Sequence, residues 1–392
     1  MLIGIVGKPN CGKSTFFKAA TLAEAEIAPY PFTTIKPNVA VGYVKIKCAE
    51  QGFGIKCNPK HGYCLNGWRF VPIQLIDVAG LVPGAHLGKG MGFQFLNDLI
   101  QADVLIHIID ISGSTNERGE LVKPLSYDPA NDIKFLEEEL DFWYLDIIKR
   151  GWDKFVRSTE HSKNELKQAI AKQLSSLNVR EEMVEGFLKN VDNELKDWDD
   201  AELLRLASYL RAKTKPMLVV CNKIDVPGSE KNFERLEKEC KGYTFIPCSS
   251  VAELMLRELA KDTTISYIPG ERTFSILDSK RLNEKQTRGL EIVKGLLGHF
   301  GLGVQESLNT AVFDVLEKIA IFPVANNRLE DKDGNKLPDC LLIDKEATAL
   351  ELAYKVHSDI GKNFIRAIDL KTKQVVGKEH KLKDCDVIEI VT

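Results

Sequence analysis

Short, unbroken apolar runs alternate along this chain with stretches whose apolar residues recur every three or four positions. Leu2–Val6, Val71–Ile76, Val104–Asp110 and Pro216–Cys221 belong to the first kind. Their length and continuous apolar character predict strands buried on both faces, as in a parallel sheet. Thr15–Ala20 follows the first run and reads as a helix. Asp128-Pro129 is a cap with proline at the first helical position, and Leu136, Leu140, Trp143 and Ile147 continue at helical steps. Leu166, Ile170, Leu174 and Leu177 make a second stripe, and Leu203, Leu206, Ala207 and Leu210 a third. Roughly a hundred residues part the Val104 run from Pro216, too many for one crossover. The pattern therefore predicts a helical insertion over 128–212, a pair of long antiparallel helices with a shorter one.

Beyond Ser250, stripes through Leu254 and Leu259, then Leu290, Val293 and Leu297, then Val312, Val315 and Leu316 predict more helices. From Ile319 the period changes to that of a strand. Ile319–Val324 is followed by a turn at Asp333-Gly334-Asn335 and a strand at Cys340–Ile343. Ala349, Leu352, Ala353 and Val356 share a helix face that ends near Gly361, and Phe364–Ile368 and Val387–Val391 alternate as strands. Strands around one helix suggest a small β-grasp over 318–392.

The chemistry begins where the first strand ends. Gly7-Lys8-Pro9-Asn10-Cys11-Gly12-Lys13-Ser14 sits between that strand and a helix, the context of a P-loop. Glycines let backbone N–H groups turn inward around phosphates, and the helix N-terminus adds its positive dipole end. Lys13 would reach the β- and γ-phosphates, Ser14 would ligate Mg²⁺, and Thr15 continues the cradle. Asn222-Lys223-Ile224-Asp225 ends the Pro216 strand. Asp225 can accept both N1–H and the exocyclic amine of guanine, which adenine cannot supply. Asn222 would tie this loop to the P-loop, and the Lys223 stem would lie along the base. Asp77-Val78-Ala79-Gly80 closes the Val71 strand, where Asp77 would hold Mg²⁺ through water and the Gly80 N–H would bond a γ-phosphate only when one is present. Tyr30-Pro31-Phe32-Thr33-Thr34 supplies a threonine for Mg²⁺ and the γ-phosphate, Thr34 in preference to Thr33. Ser249 and Ser250, after Ile246-Pro247-Cys248, could lend N–H groups to guanine O6. The fold class expected is α/β: a P-loop NTPase G domain over 1–127 and 213–317, interrupted by the helical insertion and followed by the β-grasp domain.

Composition sets limits. The chain of 392 residues suffices for two or three domains, and its net charge of −3 offers no global basic field for nucleic acid. The insertion is acidic, with 18 Asp/Glu against 13 Lys/Arg over 130–212, which suits a protein contact better than a grip on RNA phosphates. Lys371, Lys373, Lys378, Lys381 and Lys383 cluster near the C-terminal end; a solvated lysine face is the default for them, RNA contact the alternative. No apolar run is long enough for a membrane span, and the first strand follows without a charged, apolar leader pattern, so neither secretion nor a membrane span is expected. Nine cysteines, an odd number, suit reduced cytoplasmic thiols. Cys48, Cys57, His61 and Cys64 lie together in the insertion Lys47–Arg69, yet the paired C-x₂₋₄-C knuckle is absent. A hairpin excursion with free thiols is expected there, not a structural zinc.

Pro29–Asn38, Asp77–Ala85 and Gly88–Leu96 resemble the Obg/YchF family of translation-associated GTPases. The similarity covers nearly the whole chain and is greatest to the archaeal and eukaryotic branch near YchF. Tyr354–Phe364 resembles a TGS domain, a module also found in threonyl-tRNA synthetases. The resemblance implies hydrolysis of GTP to GDP as a molecular switch with Mg²⁺, in the setting of ribosomes or translation, with RNA or ribosome contact through the TGS domain. The alternatives are an ATPase and a nucleotide-gated RNA- or ribosome-binding scaffold with slow hydrolysis. YchF itself carries a degenerate base-recognition motif that permits ATP; Asp225 is intact here, so GTP is expected. Leu81 stands where many small GTPases keep a water-orienting glutamine. In similar proteins the residue at Asn10 ligates a monovalent cation, so K⁺ there could supply the charge of an arginine finger. His86, close by in sequence, reads as a solvated switch residue and not as a catalytic one.

Overall fold

The computed structural model describes residues 1–22, 38–78, 98–158, 163–191, 197–331 and 333–392. The chain divides into two compact units, residues 1–14 with 76–248 and residues 15–75 with 249–392.

The first unit is built on parallel strands. Leu2–Val6 pairs with Val104–Asp110 in the register Ile3↔Val104, and Val104–Asp110 pairs with Met217–Asn222 so that Asp110 faces Asn222. Phe245–Cys248 continues the sheet, with Asn222 opposite Cys248. Both inner strands are buried along their whole length, as the apolar runs predicted. The Val78 N–H donates to the Ile5 carbonyl (3.1 Å), which sets Asp77 beside the first strand. In-register parallel pairing therefore brings the carboxyl ends of all these strands to one edge, where open α/β sheets hold ligands.

The helical insertion in this unit differs from expectation. Ala130–Ser158 is long at 29 residues, but its partner Asp200–Thr214 has 15, and Lys163–Gln173 and Glu181–Leu188 are shorter still. The Leu166 stripe stops at Leu174, where a 3₁₀ turn over Ser175–Leu177 ends on Asn178 in the left-handed conformation (φ 60°). Arg211 pairs with Asp141 (2.8 Å) and Lys149 with Asp200 (2.6 Å), so the two longest helices of the insertion run antiparallel.

In the second unit, residues 68–75 of the strand Trp68–Asp77 neighbour Val39–Lys47 and pair antiparallel with Tyr63–Leu65. The tight turn is Asn66-Gly67, both at positive φ, the requirement of a type I′ hairpin. Helices Ser250–Lys261 and Glu284–His299 bury Leu256, Leu259, Leu290, Val293 and Leu297 in one cluster with a short ribbon, Ile265–Tyr267 and Phe274–Ile276. Ala252 and Leu256 take core places in the first of these helices, while Leu254 is half-buried. The C-terminal sheet has five strands ordered Leu341–Asp344, Lys318–Val324, Val387–Val391, Arg366–Asp369, Gln374–Val376. Lys318–Val324 and Val387–Val391 are parallel and the other pairs antiparallel. Helix Ala349–Val356, closed by a Thr348/Glu351 capping box, lays Ala349 and Leu352 on Ile321 and Ile388. This is the expected β-grasp. No helix among the described residues is long and apolar enough to cross a membrane.

Candidate functional site

The loop Gly7–Ser14 is shaped by close approaches that only glycine permits. A Cβ on Gly7 would lie 2.5 Å from the Ile108 carbonyl oxygen. At Gly12 (φ 98°) a Cβ would fall 2.1 Å from Asn222 Nδ2. Asn222 occupies that space because its amide donates to the Cys11 carbonyl (2.8 Å). The loop that ends the Met217 strand is thereby fastened to the loop that ends the Leu2 strand.

The basic residues of the P-loop have different assignments. Lys13 Nζ lies at the rim, 3.1 Å from Asp77 Oδ1, with both side chains partly open to solvent. Lys8 is buried: its Nζ donates to the Thr115 carbonyl (2.8 Å), pairs with Asp132 (2.9 Å) and sits 4.0 Å above the Tyr127 ring. Only the Lys8 main chain remains for a phosphate. Burial raises the Asp132 carboxyl above its usual range, against the pull of Lys8. Asn10 adopts φ 60° and donates Nδ2 to the Gly119 carbonyl (2.9 Å), which leaves its Oδ1 as an acceptor. Pro9 and Ser14 are exposed, and Cys11 is fully buried, its thiol pushed up to about 11 by burial.

Asn222-Lys223-Ile224-Asp225 is held from below. Ile224 is buried and its N–H donates to the Cys248 carbonyl (3.1 Å). Asp225 is exposed and makes no hydrogen bond among the described residues. The Lys223 ammonium bonds the Asp110 carboxylate (2.8 Å), a fully buried group that also accepts from Ser114 (2.8 Å), Thr115 (2.8 Å) and Ser112. Burial would raise the Asp110 carboxyl; the bonds from Lys223, Ser112 and Thr115 outweigh it and hold the group below its usual range. Asp110 thus anchors Lys223, a role the sequence pattern did not single out. The signal was present: an acidic residue closing an apolar run before the hydroxyl-rich Ser112-Gly113-Ser114-Thr115.

In the second unit, Ser249 caps helix Ser250–Lys261 by accepting from the Ala252 N–H, and its own N–H donates to the Leu302 carbonyl (3.2 Å). That N–H is engaged inside the protein. Ser250 is buried at the helix start, and Thr15 is half-buried. Thr33, Thr34, Gly80, Leu81 and His86 lie outside the described residues.

What comes together in the first unit is a glycine-shaped loop at a helix start, a rim ammonium, a rim carboxylate and an exposed carboxylate on a fastened loop. The donors near the loop, the Asp77 carboxylate and Ser14 hydroxyl, are hard oxygens of the kind Mg²⁺ takes with phosphates. Asp77 already faces a cation at 3.1 Å, so the residues fit a metal–phosphate group.

Residues 2–139 match the model of a 50S ribosome-binding GTPase family. Residues 220–326 match that of an Obg-like GTPase YGR210-like, G4 motif-containing domain, and residues 332–392 that of the TGS domain. The chain is 45% identical to an uncharacterised GTP-binding protein of Methanocaldococcus jannaschii, over 100% of this chain and 99% of that one. A crystal structure of a GTP binding protein from Pyrococcus horikoshii OT3 is 36% identical and superposes with a TM-score of 0.78, covering 100% of both chains. An Obg-like ATPase 1 of Rattus norvegicus is 29% identical over 70% of this chain and 68% of its own.

Proposed function

The chain belongs to the Obg/YchF family of GTP-binding proteins, and from that premise we propose that it is a cytoplasmic, Mg²⁺-dependent GTP hydrolase whose nucleotide state controls contact with a ribosome. One observation carries the guanine assignment: Asp225 is exposed on a loop that Asn222 fastens to the P-loop at 2.8 Å. A carboxylate there answers the two donors on the guanine edge. Against adenine it would face the unprotonated N1, an acceptor opposite an acceptor, which a binding site penalises heavily.

The residues divide the work by charge. Lys13, at the rim, neutralises phosphate oxygens, and the N–H groups of Gly7–Ser14 cradle them. Ser14, and Asp77 through water, would hold Mg²⁺, which when bound would offset phosphate charge. Lys223 stays with Asp110, so its role is to set the loop's backbone and to present its stem to the base. With Leu81 in place of a glutamine, Asn10 Oδ1 would hold a monovalent cation that, when bound, would supply positive charge beside the phosphates, and hydrolysis in K⁺ should exceed that in Na⁺. ATP as the substrate is the second reading, favoured by the name of the rat relative and opposed by Asp225.

The TGS domain supports the RNA side of the proposal. Lys371, Lys373, Lys378 and Lys383 are exposed with no ion-pair partner among the described residues, while Lys381 pairs with Glu346. Co-sedimentation with ribosomes tests the setting. Pelleting in the presence of a non-hydrolysable GTP analogue and release with GDP are expected; equal pelleting, or none, with either nucleotide would contradict it.

A further inference from the structure

The excursion between Lys47 and Arg69 does more than make a hairpin. Cys48, Glu50, Cys57 and Cys64 each offer one ligand atom, and these atoms all lie within 4.8 Å of one another. Glu50 takes the place the sequence spacing gave to His61. Cys48 Sγ and Cys57 Sγ are 3.6 Å apart, and Cys64 Sγ lies 3.3 Å from Glu50 Oε1. Ligands at about 2.3 Å (sulfur) and about 2.0 Å (oxygen) on a tetrahedral ion stand about 3.8 Å apart for S···S and about 3.5 Å for S···O. These two spacings are within a few tenths of an ångström of those edges, and the other pairs stay within 4.8 Å.

The surrounding backbone holds the four groups in place. The Cys48 N–H donates to the Gly67 carbonyl at the hairpin turn (2.8 Å). Glu50 Oε2 accepts from the Cys57 N–H (2.8 Å), which orients the carboxylate and leaves Oε1 toward Cys64. Cys64 sits opposite Arg69 in the strand register. Arg69 is wholly buried, donates Nη2 to the Leu337 carbonyl, and leaves Nε and Nη1 without a hydrogen-bond partner among the described residues. A buried guanidinium calls for negative charge nearby. A divalent ion held by three thiolates and a carboxylate carries a surplus of two negative charges, and Arg69 offsets half of it.

The geometry points to a structural metal site of the zinc type on Cys48, Glu50, Cys57 and Cys64 that fastens residues 48–65 to the adjoining strands. Three thiolates with one carboxylate and no open position favour Zn²⁺ over Mg²⁺ or Ca²⁺, and favour a structural over a catalytic role. The paired C-x₂₋₄-C spacing is dispensable because the turn Glu50–Phe53 and the Asn66-Gly67 hairpin do the gathering that a knuckle does elsewhere.

The test uses the full chain, purified under reducing conditions without chelator. Metal analysis should find about one zinc per chain. After stripping, Co²⁺ titration should saturate at about one equivalent with the visible bands and sulfur-to-cobalt charge transfer of a tetrahedral thiolate site. Cys64→Ser should lose those bands, Cys240→Ser should keep them, and Glu50→Gln should weaken Co²⁺ binding roughly tenfold without unfolding the chain. A folded, reduced wild-type protein that shows neither zinc nor the cobalt–thiolate spectrum would overturn the proposal. So would unchanged Co²⁺ affinity in Cys64→Ser, or a Cys48–Cys57 disulfide in the metal-free protein as purified.

Discussion

Lys8 and Lys13 belong to one loop, yet their ammonium groups serve different ends. Lys13 is at the rim with Asp77, while Lys8 is buried on Asp132. Lys8→Ala should therefore lower stability by about 3 kcal/mol, since it strands a buried carboxylate. Lys13→Ala should leave the melting temperature nearly unchanged and abolish nucleotide binding. Calorimetry and a nucleotide titration on both variants separate the two. His107 gives a pH dependence. Burial, helped by the Lys8 charge, pushes its imidazole down from 6.5 to about 3, and its Nδ1 has no hydrogen-bond partner among the described residues. A base with a depressed folded pKa binds fewer protons folded than unfolded, so its stabilisation is complete above the unfolded pKa and is lost as pH falls from about 6.5 toward 3. Between pH 7 and pH 5 the wild type should lose about 2 kcal/mol more than His107→Leu, read from urea midpoints. Spacing revealed Gly12 and Asn222; it could not reveal that Lys8 turns inward, because that depends on Asp132 arriving from the insertion.

Among the elements, the unbroken apolar runs were legible because a strand buried on both faces needs no alternation to be recognised. The insertion was legible as helix but not in its division. Leu166, Ile170 and Leu174 keep helical spacing, and the break at Asn178 is a matter of one left-handed residue. The cluster Ser175-Ser176-Leu177-Asn178 was the available clue. Ribbons of three residues, Ile265–Tyr267 and Phe274–Ile276, are too short for periodicity to show. The two longest helices of the insertion are bound by Arg211, which bonds Asp141 and Glu137, and by the Tyr144–Thr214 hydroxyl pair (2.7 Å). Burial opposes the Arg211 charge, and Asp141 more than restores it, raising the guanidinium further above its ordinary value. Arg211→Ala should cost about 3 kcal/mol and accelerate amide exchange across 200–214, while leaving GTP affinity within about twofold. Slow exchange there in the variant would mean that apolar packing alone secures the pair.

For the whole molecule, two compact units divide the chain, and the first contains the P-loop, Asp77 and the guanine loop together. Motif order along the sequence disclosed that grouping, since parallel strands in register bring their carboxyl ends to one edge. The three cysteines were visible in the sequence; that Glu50 and not His61 joins them was hidden, because a turn and a hairpin assemble the group and Glu is too common a residue type to signal a ligand. The central claim is that a guanine nucleotide is the ligand and that Asp225 selects it. Parallel titrations of GTP and ATP against the wild type and Asp225→Asn address it most directly. The wild type should bind GTP at least about tenfold more tightly than ATP, and Asp225→Asn should erase most of that preference. Equal affinity for both nucleotides in the wild type, or a preference that survives the substitution, would contradict it.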